Sequence, residues 1–207
     1  MHGFKTIKSE CVGEIEEKKS RFIATLRPVE TEKEAVDFIN EMKKKYWDAR
    51  HNCSAFVIGE KGELTRCSDD GEPSGTAGRP MLELLLNEEI RNVAVVVTRY
   101  FGGVLLGTGG LVRAYQAAVK EGINNADIVT IEECFECFVK SDYKAMGKVK
   151  SLVENKPFIL QDILYEEAVI FRLMIPCPLF EEAKKSITDI SNGRLTLEKE
   201  GKKYFGV

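Results

Sequence analysis

The second half of the sequence alternates strand-like and helix-like segments in one fixed order. Runs of alternating or β-branched apolar residues predict strands, whereas apolar residues spaced three and four positions apart predict helices. The patterns read strand, helix, strand, strand, helix and strand over 131–140, 142–155, 158–165, 168–175, 179–191 and 194–199. This βαββαβ order is that of a ferredoxin-like domain. We therefore expect such a domain over residues 129–207.

The first half mixes strands and helices without that order. Thr31 and Glu34 form a capping box, which predicts that a helix begins there. Strands are predicted over 4–15, 20–29, 52–59, 64–68 and 93–98, and further helices from Pro80 and from the glycines ending at Gly110. We expect a separate domain over residues 1–128, and the fold class predicted for the whole chain is α+β.

The charge balance limits how the chain could contact nucleic acid. Its 207 residues include 30 Lys and Arg against 33 Asp and Glu, which gives a formal net charge of −3. Duplex-binding domains usually carry a strongly basic face. Any contact with nucleic acid must therefore come from a local cluster of cations.

Hydropathy and cysteine usage indicate a cytoplasmic protein with no membrane partner. No segment approaches the roughly 18 apolar residues that a membrane-spanning helix needs, and no apolar run follows the N-terminal lysines. The six cysteines are scattered through apolar stretches, a pattern typical of buried thiols in a reducing compartment.

The densest glycine cluster of the chain, GGVLLGTGG, leads into a predicted helix. Backbone N–H groups at a helix start are unpaired and can hold a phosphate. The spacing nevertheless fits neither nucleotide signature, because Thr108 replaces the P-loop lysine and Val112 replaces the third dinucleotide-site glycine. A tight turn that lets strand, loop and helix pack closely is the alternative. The glycines assigned to a candidate anion site are Gly102, Gly103, Gly107, Gly109 and Gly110.

Basic residues punctuate the same half of the chain. The planar guanidinium group donates two parallel hydrogen bonds and suits phosphate. The candidates for an anion or nucleic-acid surface are Arg50, His51, Arg66, Arg79, Arg99 and Arg113. Internal ion pairs with the acidic loop 68–80 are an equal alternative. The residues assigned to structuring that loop are Asp69, Asp70, Glu72 and Ser74.

Metal and catalytic interpretations have weaker support. The acidic loop could bind Mg²⁺, but no second carboxylate cluster completes such a site. His51 shares a strand face with Cys53, which allows a Cys/His nucleophile, although a structural histidine is the commoner arrangement. Cys134 and Cys137 point to opposite faces of a strand, which spoils a shared metal site. We therefore predict no catalytic residue, no metal and no cofactor.

Four motifs resemble the IMPACT/YigZ family: DARHNCSAF, SDDGEPSGTAGRP, RYFGGVLLG and TGGLVRAY, within 48–115. The resemblance implies an N-terminal α+β sandwich similar to the second domain of a small-subunit ribosomal protein and to domain four of elongation factor G. It also implies a C-terminal domain similar to that factor's last domain. Eukaryotic members are translational regulators that restrain a starvation-sensing kinase pathway through an additional N-terminal interaction domain, so their partner contacts do not transfer.

The resulting hypothesis is a non-catalytic regulator of translation that associates with RNA or the ribosome through the Arg- and Gly-rich surface. A protein partner in translation control is also compatible with the resemblance. Two alternatives remain open: an enzyme acting on a small phosphorylated metabolite, and a protein-interaction module whose arginines are all paired internally. Fold similarity alone cannot choose among these three.

Overall fold

A computed structural model describes residues 3–206. The chain divides into two compact units between Thr130 and Ile131. The first unit is Phe4–Thr130, and the second begins at Ile131 and includes Gly3. The division falls inside one long strand, Ile128–Ser141. The predicted α+β class is confirmed.

The first unit contains one antiparallel sheet of five strands and three helices. The elements are β1 Phe4–Ile7, β2 Cys11–Glu17, β3 Ser20–Pro28, α1 Glu32–Lys45, β4 His51–Ile58, β5 Leu64–Ser68, α2 Gly78–Asn87, β6 Val93–Tyr100 and α3 Gly107–Asn124. The five strands of the sheet lie in the order β2-β3-β6-β4-β5, so β6 is central and β1 is not part of this sheet.

Helices cover both faces of this sheet, which explains why β6 is buried along nearly its whole length. Val95 and Val97 belong to the cluster shared with α2 and α3, whereas Ala94 and Val96 belong to the cluster shared with α1. Because side chains alternate along a strand, odd-numbered residues of β6 face α2 and α3, and even-numbered residues face α1. Arg99 at the end of β6 therefore lies on the α2/α3 face.

The second unit has the predicted βαββαβ order. Its strands pair antiparallel as β10-β7-β9-β8, and both helices bury one apolar stripe, with Val149, Ala183 and Ile187 among its members. The elements are β7 Ile128–Ser141, α4 Met146–Glu154, β8 Ile159–Tyr165, β9 Val169–Pro176, a 3₁₀ turn at Cys177–Leu179, α5 Phe180–Ile190 and β10 Leu197–Gly206.

Element boundaries differ from the predictions in a few places. The strand expected over 4–15 is two strands, and the backbone N–H of Lys8 between them donates to the carbonyl of Asp127. The strand expected over 194–199 instead runs Leu197–Gly206, because its polar outer half pairs with β7 through Lys202–Glu133 and Lys203–Glu136 contacts. Within residues 3–206, no helix is both long and apolar enough to cross a bilayer.

Candidate functional site

The sequence motifs gather at one end of the first unit's sheet. Strands β3 and β4 begin there, and their antiparallel neighbours β6 and β5 end there. We call this region the loop end, and it comprises segments 18–19, 47–50, 69–77 and 101–106 together with the first turn of α3.

The acidic loop is fastened to the protein by its two aspartates. The Asp69 carboxylate accepts hydrogen bonds from the backbone N–H groups of Gly75, Ala77 and Gly78 at 2.8–3.0 Å, and so caps α2. Burial raises the pKa of Asp69, but these three hydrogen bonds outweigh burial and hold the pKa below its ordinary value of 3.8. Asp69 therefore acts on the loop's own backbone.

Asp70 fastens the loop to β4 and α1. Its carboxylate accepts from the backbone N–H of Asn52 at 2.7 Å and from the ammonium of Lys43 at 2.6 Å. Burial raises the pKa of Asp70, and these two partners lower it further than burial raises it. Both aspartates thus accept hydrogen bonds that join the loop to its surroundings, while Ser74 is exposed.

The Glu72 side chain is buried and takes part in a network of buried polar side chains. Its Oε1 accepts from Arg99 Nη1 at 2.7 Å and from the Tyr115 hydroxyl at 2.8 Å. The Arg99 guanidinium also lies 5.5 Å and 5.6 Å from the ring centroids of Phe22 and Phe101. Arg99 is 6% exposed, so it forms the internal pair that the sequence left as an alternative to an anion contact.

Cys53 belongs to the same buried network through its contact with Tyr115. Its sulfur lies 3.3 Å from the Tyr115 hydroxyl and 2.9 Å from the Asp69 carbonyl oxygen. Burial raises the pKa of the Cys53 thiol to about 12 and also raises the pKa of Tyr115. A thiol with this pKa is protonated at neutral pH and is a poor nucleophile. The buried network therefore supports the acidic loop and contains no activated thiol.

Two of the predicted arginines, Arg66 and Arg79, have carboxylate partners of their own. Arg66 is paired in register with Phe56, which packs against α1, so Arg66 faces the α1 side, where its Nε lies 3.7 Å from Glu32. Arg79 donates to Glu83 one turn along α2 at 2.7 Å. The sequence could not separate Arg66 from the rest, because strand register decides which face a strand residue occupies.

The remaining basic candidates stay at the loop end. The His51 Nδ1 lies 2.9 Å from the Asp70 carbonyl oxygen. Arg50 and Arg113 are exposed, and neither forms an ion pair with any residue in 3–206. Over the same described range, no group of three or more His, Cys, Asp or Glu residues is arranged to hold a metal ion.

A pocket of about 270 Å³ opens beside Arg113. It lies between the β2–β3 turn and the first turns of α3, and no side chain caps the start of this helix. The Arg113 guanidinium lies over that first turn, since its Nη1 is 3.6 Å from where a Cβ on Gly109 would be. The lining residues are Ile15, Glu17, Lys18, Leu106, Gly110, Arg113, Ala114 and Ala117.

Most glycines of GGVLLGTGG are required by close backbone packing or by a positive φ. A Cβ on Gly102 would lie 2.0 Å from the backbone carbon of Lys19, and the Gly102 N–H donates to Ser20 Oγ. Gly103 and Gly107 have φ of +85° and +72°, which side chains rarely tolerate. Gly109 and Gly110 are the cluster's residues inside α3 that lie nearest Arg113 and the pocket.

Several exposed residues of the loop end were not predicted from the sequence. Trp47 is 82% exposed, Phe101 51% and Leu105 83%. Lys18 and Lys19 form the two-residue turn between β2 and β3, with φ of +48° and +65°. The available signal was the single tryptophan just beyond the amphipathic pattern of α1, and the two aromatic residues before GG.

Together the two folds and the loop end define a two-unit α+β protein with an exposed cationic and aromatic surface on its first unit. The model described as "Impact N-terminal domain" matches residues 18–123, and that described as "Domain of unknown function (DUF1949)" matches 139–194. The chain belongs to the IMPACT family.

Two bacterial relatives and one solved structure extend over most of the chain. IMPACT family member YvyE of Bacillus subtilis is 42% identical over 201 residues, 97% of this chain and 92% of its own. IMPACT family member YigZ of Escherichia coli is 34% identical over 182 residues, 87% and 89% of the two chains. A crystal structure described as that of an hypothetical protein has a TM-score of 0.62 at 32% identity, covering 95% of this chain and 97% of its own.

Proposed function

We propose that the protein is a regulator of translation that binds single-stranded RNA segments, ribosomal RNA included, through its loop end. One observation carries this proposal. The exposed cations Lys18, Lys19, Arg50 and Arg113 share that end of the sheet with the exposed aromatic rings of Trp47 and Phe101.

The acidic residues of the 69–77 loop do not cancel these cations. Asp69, Asp70 and Glu72 are all engaged, by backbone N–H groups, by Lys43 and by Arg99 respectively. By contrast, neither lysine of the β2–β3 turn forms an ion pair within the described residues. Charges left for solvent in this way can contact phosphates without first breaking an internal pair.

The Lys18–Lys19 turn supports a role for its charges beyond folding. Both residues have positive φ, as a type I′ hairpin turn requires, and such positions favour Asn and Gly. Lysine gains nothing there for the fold and carries conformational strain. Strain held at a surface site is an argument for function at that site.

The exposed rings favour single strands over a duplex. Every base has a π-face, so stacking on an aromatic side chain contributes about 1–3 kcal/mol per base with little sequence preference. The bases of a duplex are already stacked and are unavailable to such rings. Membership of the IMPACT family, whose eukaryotic members are translational regulators as stated above, supports a role in translation.

Co-sedimentation with ribosomes, and fluorescence anisotropy with a single-stranded oligoribonucleotide, test the proposal across a KCl series. Single-strand binding has a salt slope of about −0.7 per phosphate contact, so Arg50→Ala/Arg113→Ala should lower the slope by about 1.4 as well as the affinity. Arg79→Ala is the matched control, because Arg79 is also exposed but is paired with Glu83 on α2. Absence of binding, or equal losses in the control, would rule the proposal out.

The pocket beside Arg113 favours a second candidate, an enzyme or sensor that takes a small phosphorylated molecule. Its cations, Arg113 and Lys18, lie around the open start of α3. A thermal-shift screen of phosphorylated metabolites separates this candidate from RNA binding. A ligand at about 100 times its dissociation constant would stabilise the protein by about 2.7 kcal/mol.

A further inference from the structure

A second basic concavity lies on the C-terminal unit, in the part that matches the domain of unknown function. It has a volume of about 200 Å³ and lies between the start of α4 and the turn that follows α5. Lys144 and Lys148 contribute from the α4 side, and Arg194 contributes from the turn. All three side chains are exposed.

The turn after α5 is built so that it brings Arg194 to this place. Asn192 and Gly193 both have positive φ, of +52° and +78°, which reverses the chain at the end of the helix. The N–H of Gly193 donates to the carbonyl of Thr188, and the N–H of Arg194 donates to the carbonyl of Ser191. These bonds occupy carbonyls at the negative end of α5, which would otherwise repel an anion.

The polar neighbours of the three cations are satisfied by other groups. The Asp142 carboxylate accepts from the backbone N–H of Ala145 at 2.7 Å, and Ser191 Oγ donates to a carbonyl of α5 and accepts from the N–H of Leu195. Neither lysine nor Arg194 forms an ion pair with any residue that the structure describes. The concavity therefore presents three cations against one carboxylate, that of Asp142.

Three other lysines of this unit have acidic partners, and those pairs are Lys156–Glu182, Lys202–Glu133 and Lys203–Glu136. Further exposed lysines, such as Lys150 and Lys184, have no ion pair among the described residues. The feature that distinguishes Lys144, Lys148 and Arg194 is therefore that they meet at one concavity. The unit has no overall positive charge that would make a cation cluster a matter of chance, since residues 131–207 contain 12 Lys and Arg against 13 Asp and Glu. Three cations from two elements converge on one concave site instead.

We propose that this concavity is a phosphate-binding site, which takes a phosphate group of a small phosphorylated molecule or of an RNA backbone. An ammonium is a compact point charge, and a guanidinium offers two parallel donors, so one Arg with two Lys suits a tetrahedral oxyanion. The site is separate from the loop end and does not depend on the function proposed for it.

The test uses the full chain carrying Arg50→Ala/Arg113→Ala, so that binding at the loop end is weakened and any remaining shifts there can be told apart by their location. Inorganic phosphate, uridine 5′-monophosphate and a short single-stranded oligoribonucleotide are titrated and followed by amide chemical shifts. We expect the shifts to concentrate at Ala145, Lys148 and 192–195, and Lys148→Ala/Arg194→Ala to weaken binding at least about tenfold. The control is Lys150→Ala, since Lys150 is exposed on the same helix but lies outside the concavity.

The outcomes separate the two phosphate sources. Binding of phosphate and the mononucleotide that matches that of RNA supports a small-ligand site, whereas salt-dependent binding of RNA alone supports a backbone contact; either result keeps the proposal. No localised shifts with any probe, or equal weakening by Lys150→Ala, would overturn it. Neither result bears on the loop end, whose two arginines are already removed in this background.

Discussion

The Arg99 guanidinium donates a 2.7 Å hydrogen bond to the Glu72 carboxylate, and the two side chains are only 7% and 3% exposed. This contact joins the end of the central strand to the middle of the glycine-rich acidic loop. Tyr115 of α3 donates to the same carboxylate oxygen, so three segments meet at one atom. The pair therefore holds the acidic loop in place.

Removal of Arg99 should cost stability before it affects binding. Arg99→Ala leaves the Glu72 carboxylate buried without its cation, a loss of about 3–5 kcal/mol in the free energy of unfolding. Urea denaturation measures it, and Arg79→Ala, which breaks only an exposed pair, should change stability by less than about 1 kcal/mol. A wild-type urea midpoint for Arg99→Ala would contradict the buried pair.

Tyr115→Phe tests the second hydrogen bond to Glu72 without opening a cavity. The phenyl ring can keep its edge-to-face contact with Phe22, which has ring centroids 5.2 Å apart. Only the hydroxyl is lost, so we expect the unfolding free energy to fall by about 1–2 kcal/mol. In combination with Arg99→Ala the two losses should not add, because both substitutions act on one carboxylate. Simple additivity in that double-mutant cycle would argue against the shared oxygen.

The fold could be predicted from sequence wherever one local rule decided the structure. The Thr31–Glu34 capping box forms as expected, with Thr31 Oγ1 accepting from the Glu34 N–H and the Glu34 carboxylate accepting from the Thr31 N–H. Periodicity alone gave the βαββαβ order. The outer half of β10 was missed because its stretch EGKKYFG has no apolar alternation, and its strand is held by cross-strand Lys–Glu pairs with β7.

The candidate site was less predictable, because it depends on register. Arg66 and Arg99 are both strand residues near the same motifs, yet one faces α1 and the other is buried toward α3. Nothing within either strand distinguishes them without the pairing. The exposed rings of Trp47 and Phe101 were missed for a related reason, since apolar residues beside strands and helices are ordinarily assigned to the core.

Gly102→Ala should destabilise the protein by more than a surface change does. The added Cβ would lie 2.0 Å from the Lys19 carbonyl carbon, a backbone atom that cannot rotate away. A shift of the β2–β3 turn or of the 101–106 loop is required, at a cost of about 1–3 kcal/mol. Gly147→Ala is the opposite control: it lies in α4 with nothing within 4 Å of its new Cβ, so about 0.5–1 kcal/mol of stabilisation is expected. Thermal denaturation of both variants decides the matter.

The Lys18–Lys19 turn offers a test in which stability and binding change in opposite directions. Lys18→Asn/Lys19→Gly supplies the residues that a type I′ turn favours, so the unfolding free energy should rise by about 1 kcal/mol. RNA affinity should fall, and the salt slope should decrease by about 1.4, if both ammonium groups contact phosphates. If the variant is more stable but binds RNA as tightly as the wild type does, the turn is not part of the binding surface.

Because of its aspartates, the acidic loop should make the protein lose stability at low pH. Asp69 has a folded-state pKa below its ordinary 3.8, because three backbone hydrogen bonds outweigh burial. Near and below that value the unfolded chain binds more protons, so stability is fully present above the unfolded pKa and is lost as pH falls through the folded pKa. Asp70 acts in the same direction through Lys43 and the Asn52 N–H. Urea midpoints at about pH 6 and about pH 3 should therefore differ more for the wild type than for Asp69→Asn, whose amide does not titrate. Equal acid losses in the two proteins would mean that the Asp69 carboxylate does not hold the loop.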